Sequence, residues 1–167
     1  MHATRILAIR HGETAWNVDT RIQGQLDIGL NDTGRAQAQW LARSLAEREP
    51  LQAIYASDLA RAWHTAQAVG QAQGVAVVAH TGLRERVLAT VNELAARHVG
   101  EQIALVAHGG VMDVLYRAAT RLDVQAARTW QLPNTAVNRL LWTPEGLSLV
   151  GWADTTHLDG QSLDELA

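Results

Sequence analysis

Short apolar runs alternate along this chain with longer stretches in which apolar residues recur every three or four positions. The runs at 5–10, 52–56, 75–79 and 102–107 are too short for helices and read as buried strands. Helical spacing covers 32–49, 59–73, 87–99 and 110–122. Val87, Val91, Leu94 and Ala95 share one face of the third of these, and Val111, Val114, Leu115, Ala118 and Leu122 one face of the fourth. Gly74 and Gly100 stand where helix ends take a left-handed residue. Strand alternating with helix predicts an α/β fold: a mostly parallel sheet flanked by helices on both faces, a three-layer sandwich. After Pro133 the rhythm changes. Residues 136–142, a Pro144-Glu145-Gly146 turn and residues 147–152 predict a C-terminal β-hairpin, and the polar residues from 154 onward a loose tail. No repeat, linker or low-complexity segment interrupts the pattern, so 1–167 reads as a single domain.

Composition narrows the chemistry. At 167 residues, folding buries roughly 70% of the unfolded surface, so no disulfide or metal staple is required. All 14 basic residues are arginine. Without lysine there is no phosphate-loop lysine, Schiff base or lysine general base, and without cysteine no thiol nucleophile or thiolate metal cluster. A net charge of −3 with no basic run argues against a nucleic-acid partner. The apolar run at 6–9 is too short for a signal-peptide core or a membrane span. The expectation is a cytoplasmic protein with a small-molecule partner and no membrane association. A freed helix face and the hairpin edge are surfaces on which a homodimer could form.

In an open α/β sheet, ligands collect just past the carboxyl ends of the strands. The residues there are uniform in kind. The first strand ends in Arg10-His11-Gly12-Glu13-Thr14, the second in Ser57-Asp58 with Arg61 one helical turn on, the third leads to Leu83-Arg84-Glu85-Arg86, and the fourth ends in His108-Gly109-Gly110. Guanidinium forks match the oxygens of a phosphate two at a time, so the predicted ligand is a small phosphorylated molecule. Gly24, Gly109 and Gly110 let backbone amides approach it, and the helix after His108 points its positive end at the same place. Asn17 and Gln23 either donate to the anion or cap their own loop.

With thiol, lysine and metal groupings excluded, His11 is the best nucleophile. A neutral imidazole can attack phosphorus provided its other nitrogen donates to a fixed acceptor, which the Gly12 region could supply. Glu85 is the candidate acid for the leaving alkoxide and then the base for water; Glu13 is a loop-fixing partner and the reserve. Arg10, Arg61 and a protonated His108 hold the transferring group. His2, His64, His80 and His98 read as bystanders. Asp154 with His157 lacks a third ligand at metal-binding spacing, and Arg117, Arg121 and Arg128 read as a solvated helix face.

The run from Arg10 to Asn17, Arg21-Ile22-Gln23-Gly24, the Gly34 to Ala38 helix start, Ser57-Asp58-Leu59-Ala60-Arg61-Ala62, Thr65-Ala66, Leu83-Arg84-Glu85 and Val106-Ala107-His108-Gly109-Gly110 together resemble the histidine phosphatase superfamily, the phosphoglycerate-mutase-like proteins. The resemblance implies that His11 is the phosphorylated histidine. Arg10, Arg61 and His108 would complete the phosphate pocket, Asn17, Gln23 and Gly24 would be accessory binders, and Glu85 the proton donor; no cofactor is implied. Gly29 stands where the family often has proline. One departure is large: the family usually carries several dozen residues after the glutamate motif, whereas here Glu85-Arg86 runs straight into the next helix. The phosphate pocket is expected to survive that shortening, while the cover over it, the recognition of the rest of the substrate and the placing of Glu85 change. An opened site favours hydrolysis over a closed-site transfer. The expected activity is therefore a permissive phosphomonoesterase, with a phosphoglycerate mutase or a catalytically impaired phosphate binder as the alternatives.

Overall fold

A computed structural model describes residues 2–19 and 26–162. Its sheet has six strands in the order β3-β2-β4-β1-β5-β6, formed by β1 (Thr4–Arg10), β2 (Ala53–Ala56), β3 (Val77–Ala79), β4 (Gln102–Ala107), β5 (Val137–Thr143) and β6 (Gly146–Asp154). The first four are mutually parallel, and β5 and β6 add the antiparallel hairpin at the β1 edge. Among the described residues six α-helices accompany them: α1 (Ala15–Val18), α2 (Asp32–Arg48), α3 (Ala60–Gln73), α4 (Gly82–Glu85), α5 (Val87–Ala96) and α6 (Gly109–Thr120). Among the described residues no helix is long and apolar enough to cross a membrane.

The period of two in a strand explains the two cores. Leu7 and Ile9 of β1 and Val106 of β4 point to one face and pack with Leu41, Leu45, Ile54 and Val69. Ile6, Ala8, Ile103 and Leu105 point to the other, among Leu83, Val91, Leu94, Met112 and Leu115 of α4, α5 and α6. Since β1 and β4 are covered on both faces, their sequences are continuous apolar runs. At ~25 cal/mol per Å² of apolar surface, these two layers supply most of what holds the sheet.

Several boundaries depart from the pattern. The third strand begins at Val77, because the Val75 amide turns back to bond the Gly70 carbonyl at 3.0 Å. The third predicted helix stops at Ala96, and Gly100 takes φ 85 in the turn that follows. His98 in that turn sits 2.7 Å from the Tyr55 hydroxyl and 3.1 Å from Glu101, a polar bridge in place of an apolar helix position. The short helices α1 and α4 have no apolar stripe long enough to announce them. The predicted loose tail is corrected over its described part. Asp154 pairs with Arg139 at 2.7 Å, and a 3₁₀ turn at Thr156–Leu158 buries His157 against the Thr135 hydroxyl.

Candidate active site

His11 and His108 follow the last residues of two adjacent parallel strands, in which Arg10 is paired with Ala107. That register sets the imidazoles side by side, with ring centroids 5.5 Å apart. Three elements pin the backbone at His11. Its amide bonds the Ala107 carbonyl of β4 at 3.0 Å, the Gly12 amide bonds the Thr65 hydroxyl of α3 at 3.0 Å, and the Asn134 side chain donates to the His11 carbonyl at 3.0 Å. Thr135, whose amide bonds the Arg10 carbonyl at 2.9 Å, holds φ 56, a left-handed conformation that a β-branched residue adopts only under constraint.

The His11 ring is buried, and its Nδ1 lies 2.7 Å from the Gly12 carbonyl. A carbonyl can only accept, so Nδ1 carries the proton and Nε2 keeps its lone pair. Burial, followed by the positive surroundings of Arg10, His108 and Arg61, lowers the pKa to about 3 against the opposing pull of the Gly12 carbonyl. At neutral pH the ring is uncharged.

The guanidinium groups are aimed by backbone carbonyls. Arg10 Nη1 donates to Leu132 O, while Arg10 Nε is buried without a hydrogen-bond partner among the described residues. Arg61, in the first turn of α3, donates from Nη1 to Leu26 O at 2.5 Å and has its own carbonyl bonded by Thr65 at 2.7 Å. Burial lowers the pKa of both arginines; Arg128 and then Arg61 add to the effect at Arg10. Such crowding of like charge stabilises any anion that enters.

His108 differs from the expectation of an imidazolium. Burial, then Arg61 and Arg10, hold its pKa down to about 4, so the ring is neutral at pH 7. Its Nε2 lies 2.7 Å from the hydroxyl of Ser57, a fully buried residue, and Nδ1 has no partner among the described residues. With Ser57 donating to Nε2, the neutral ring carries its proton on Nδ1, available to an acceptor.

Other predicted residues fall around this centre. Gly109 opens α6 beside Arg10, where an added Cβ would come within 3.5 Å of Arg10 Nε. Asn17 caps α1, its Oδ1 accepting from the Thr14 amide at 3.1 Å and from Asn134 at 3.2 Å; only its amide nitrogen is left for a ligand. Gln23 and Gly24 lie outside the described residues. Glu13 is a loop-fixing partner, accepting from Asn31 at 3.0 Å. Glu85 does not touch the imidazoles. It ends α4 with its side chain 56% exposed and its carboxylate 3.6 Å from Arg84, which pairs at 2.8 Å with Asp58 next to Ser57. Only Arg86 separates α4 from α5, so no covering segment follows. His64 is exposed and His80 accepts from the Gly82 amide at 3.0 Å. Among the described residues no group of three or more His, Cys, Asp or Glu side chains is arranged to hold a metal ion.

Sequence reasoning missed the positioning residues Asn134 and Thr135, whose one signal was a pair of polar residues between Pro133 and the hairpin. It also missed the meeting of Gly12 and Gly34. A Cβ on Gly34 would lie 2.0 Å from Glu13 O, and one on Gly12 2.6 Å from Gly34 O, so both glycines let the β1 loop rest on the start of α2. Of the arginines expected on a solvated face, Arg121 and Arg128 are exposed, and Arg117 needs correction. Arg117 pairs with Asp113 at 2.9 Å, binds the carbonyls of Asp123 and Ala126 and stacks over Trp130, clamping the loop before β5 instead of facing solvent.

Comparison with known proteins agrees with this geometry. The chain is 30% identical over 202 residues to phosphoglycerate mutase-like protein 4 of Arabidopsis thaliana, covering 92% of this chain and 86% of that protein. It is 29% identical over 202 residues to the metal-independent phosphoserine phosphatase of the same plant, covering 93% and 83%. A mycobacterial glucosyl-3-phosphoglycerate phosphatase solved with VO3 superposes with a TM-score of 0.76 at 28% identity, over 89% of this chain and 98% of that one. Both plant alignments are longer than this chain, so those relatives carry additional residues. The model of the histidine phosphatase superfamily, branch 1, matches in two stretches, 6–88 and 83–155, that meet at the Glu85 motif where the shortening was expected. By that match, which spans most of its length, the chain belongs to the histidine phosphatase superfamily.

Proposed function

We propose that the protein hydrolyses small phosphomonoesters through a phosphohistidine on His11. The observation that carries this reading is the neutral His11 ring, its Nδ1–H given to Gly12 O and its Nε2 lone pair held in a buried pocket of Arg10, Arg61 and His108. In the first step Nε2 attacks phosphorus, the phosphorus–oxygen ester bond breaks, and the leaving alkoxide takes a proton from Glu85. In the second, Glu85 removes a proton from water, the water oxygen attacks phosphorus, and the phosphorus–nitrogen bond breaks to release phosphate and neutral His11. Charge spread over three phosphoryl oxygens is met by two guanidinium groups, His108 Nδ1–H and the first amides of α6. One arginine in such a role is worth about 10³–10⁵ in rate in other phosphoryl-transfer enzymes.

Hydrolysis is preferred to mutase transfer because α4 passes into α5 through Arg86 alone, leaving the rim open to water. Relatives named as phosphatases support the same choice. The test is turnover of p-nitrophenyl phosphate in the presence of a chelator, with and without His11→Ala. The parent should release phosphate and give an acid-labile phosphoenzyme, and the variant should do neither; equal rates would remove the nucleophile. Transfer from 3-phosphoglycerate to the 2-position, faster than phosphate release, would favour the mutase. A rise in melting temperature with vanadate but no turnover would leave only a phosphate-binding protein.

A further inference from the structure

A single amide bonds both peptide carbonyls that flank the His11 Cα. Thr135 N–H lies 2.9 Å from Arg10 O and 3.3 Å from His11 O, a three-centre bond across the proposed nucleophile. Those two peptide planes set the direction of the His11 Cα–Cβ bond, and with it the place of the imidazole. Thr135 does this from φ 56, a region in which a β-branched residue stays only where its surroundings over-determine it. Its hydroxyl supplies the constraint. Thr135 is fully buried, and its Oγ1 has one hydrogen-bond partner among the described residues, Nε2 of His157 at 3.1 Å. His157 is itself held. It is 9% exposed in the 3₁₀ turn Thr156–Leu158, where it lines a cleft together with Trp40 of α2. Asp154 fixes that turn: its Oδ1 accepts from the Thr156 amide at 3.0 Å and hydroxyl at 2.8 Å, and its Oδ2 from Arg139 at 2.7 Å. Arg139 in turn donates to Glu49, at the end of α2, at 2.9 Å. Of the three non-glycine residues with positive φ among the described residues, two, Thr135 and Ala153, flank the Val137–Asp154 pair of the hairpin. Backbone strain gathers where a site is held in a set shape.

Resting on the phosphatase reading, we propose that His157 is a positioning residue for His11, acting through the Thr135 hydroxyl. Its part is mechanical. The His157 bond keeps Thr135 left-handed, that conformation aims one N–H at two carbonyls, and those carbonyls fix the imidazole. Without the bond, Thr135 relaxes toward the extended region that β-branched residues prefer, and its amide leaves the Arg10 and His11 carbonyls. The Asn134 side chain then holds the His11 carbonyl at a single point. Nε2 of His11 has to approach phosphorus in line, and a misplacement of about 1 Å can cost about a hundredfold in rate. Arg61 and His108 are positioned from α3 and from the end of β4, so the grip on the phosphoryl group outlasts the loss of alignment. The loss therefore falls on kcat more than on KM. The terminal turn belongs to the catalytic apparatus, although almost the whole described chain separates it from His11.

The experiment follows p-nitrophenyl phosphate turnover and thermal melting for the parent, His157→Leu, His157→Gln, Thr135→Val and Thr135→Ser. Glutamine keeps a nitrogen near the Nε2 position, and serine keeps the hydroxyl. Measured well below their melting temperatures, His157→Leu and Thr135→Val should each lose about ten- to a hundredfold in kcat with little change in KM. His157→Gln and Thr135→Ser should recover most of that loss. The double variant Thr135→Val with His157→Leu should be no slower than the slower single one, because both break one bond; losses that multiply would overturn the proposal. A readout independent of turnover is the nuclear magnetic resonance of the His11 Nδ1–H proton in protein carrying isotope-labelled histidine. It should shift in His157→Leu and return in His157→Gln. A lowered melting temperature with kcat and the resonance unmoved would make His157 structural only and would also overturn the proposal. If His157→Leu does not fold, Thr135→Val against Thr135→Ser decides by the same readouts. A parent without turnover, whose resonance still answers to the two His157 variants in this way, would sink the phosphatase reading and keep the positioning role.

Discussion

Oγ of Ser57 lies 2.7 Å from Nε2 of His108, and this bond engages one ring nitrogen while Nδ1 is left without a partner among the described residues. Ser57→Ala should leave the fold nearly unchanged, since the residue is small and fully buried among backbone contacts. A lost hydrogen bond of ~1 kcal/mol corresponds to roughly a five- to tenfold fall in kcat/KM. Steady-state kinetics alongside a melting curve checks this; a drop in melting temperature without a kinetic change would assign Ser57 to stability alone.

Glu85 ends α4 with more than half of its side chain in solvent. If it protonates the leaving oxygen, Glu85→Gln should depend on the basicity of that oxygen. A placed acid contributes about 10²–10⁴ for a strongly basic alkoxide and far less for a nitrophenolate that leaves unaided. Glycerol 1-phosphate should therefore suffer at least a hundredfold loss while p-nitrophenyl phosphate loses much less, provided that the second step is not limiting. Equal small losses on both would move the acid role elsewhere.

The two central imidazoles set a pH dependence of stability. Both titrate lower in the folded protein, about 3 for His11 and about 4 for His108, than in the unfolded chain, where a free imidazole titrates near 6.5. The unfolded chain thus binds more protons on acidification, so this contribution is complete above about pH 6.5 and is lost progressively as pH falls toward 4 and then 3. His108→Gln should flatten the fall in melting temperature between pH 6.5 and 4. Bound phosphate should flatten it too, because an anion raises both pKa values.

Gly34 packs where no side chain fits: a Cβ would lie 2.0 Å from the Glu13 carbonyl. Gly34→Ala should cost ~2 kcal/mol or more through overpacking and displace the β1 loop, lowering activity and melting temperature together. Gly110, in the first turn of α6 with nothing within 4 Å of an added Cβ, is the control. Gly110→Ala should be neutral or stabilising by up to about 1 kcal/mol.

Positions fixed by strand ends were legible in the sequence, because four short apolar runs end at Arg10, Ala56, Ala79 and Ala107 and any parallel sheet must bring those ends to one rim. His11, Arg10, Arg61 and His108 followed from that rule, and the resemblance agreed. The acceptor for the His11 ring was also foreseeable, since Gly12 is its chain neighbour. What escaped depends on approach between distant segments. Asn134 reaches back 123 residues to hold the His11 carbonyl, and Gly34 makes room for Glu13. Charge state escaped for a similar reason: His108 is neutral because of what surrounds it, not what it is. Arg117 looks like surface charge on a helical wheel, and only the path of the loop before β5 gives it partners.

The single-residue joint at Arg86 has a practical corollary. It is exposed, and its amide closes α4 on the Gly82 carbonyl while its own carbonyl accepts the Thr90 amide of α5. The entropic toll of closing a loop grows only slowly with its length, so foreign polypeptide can be spliced in there without rebuilding the scaffold. The chain is in effect a stripped chassis for its family, on which interchangeable canopies could be mounted and their influence on selectivity measured against a common bare reference.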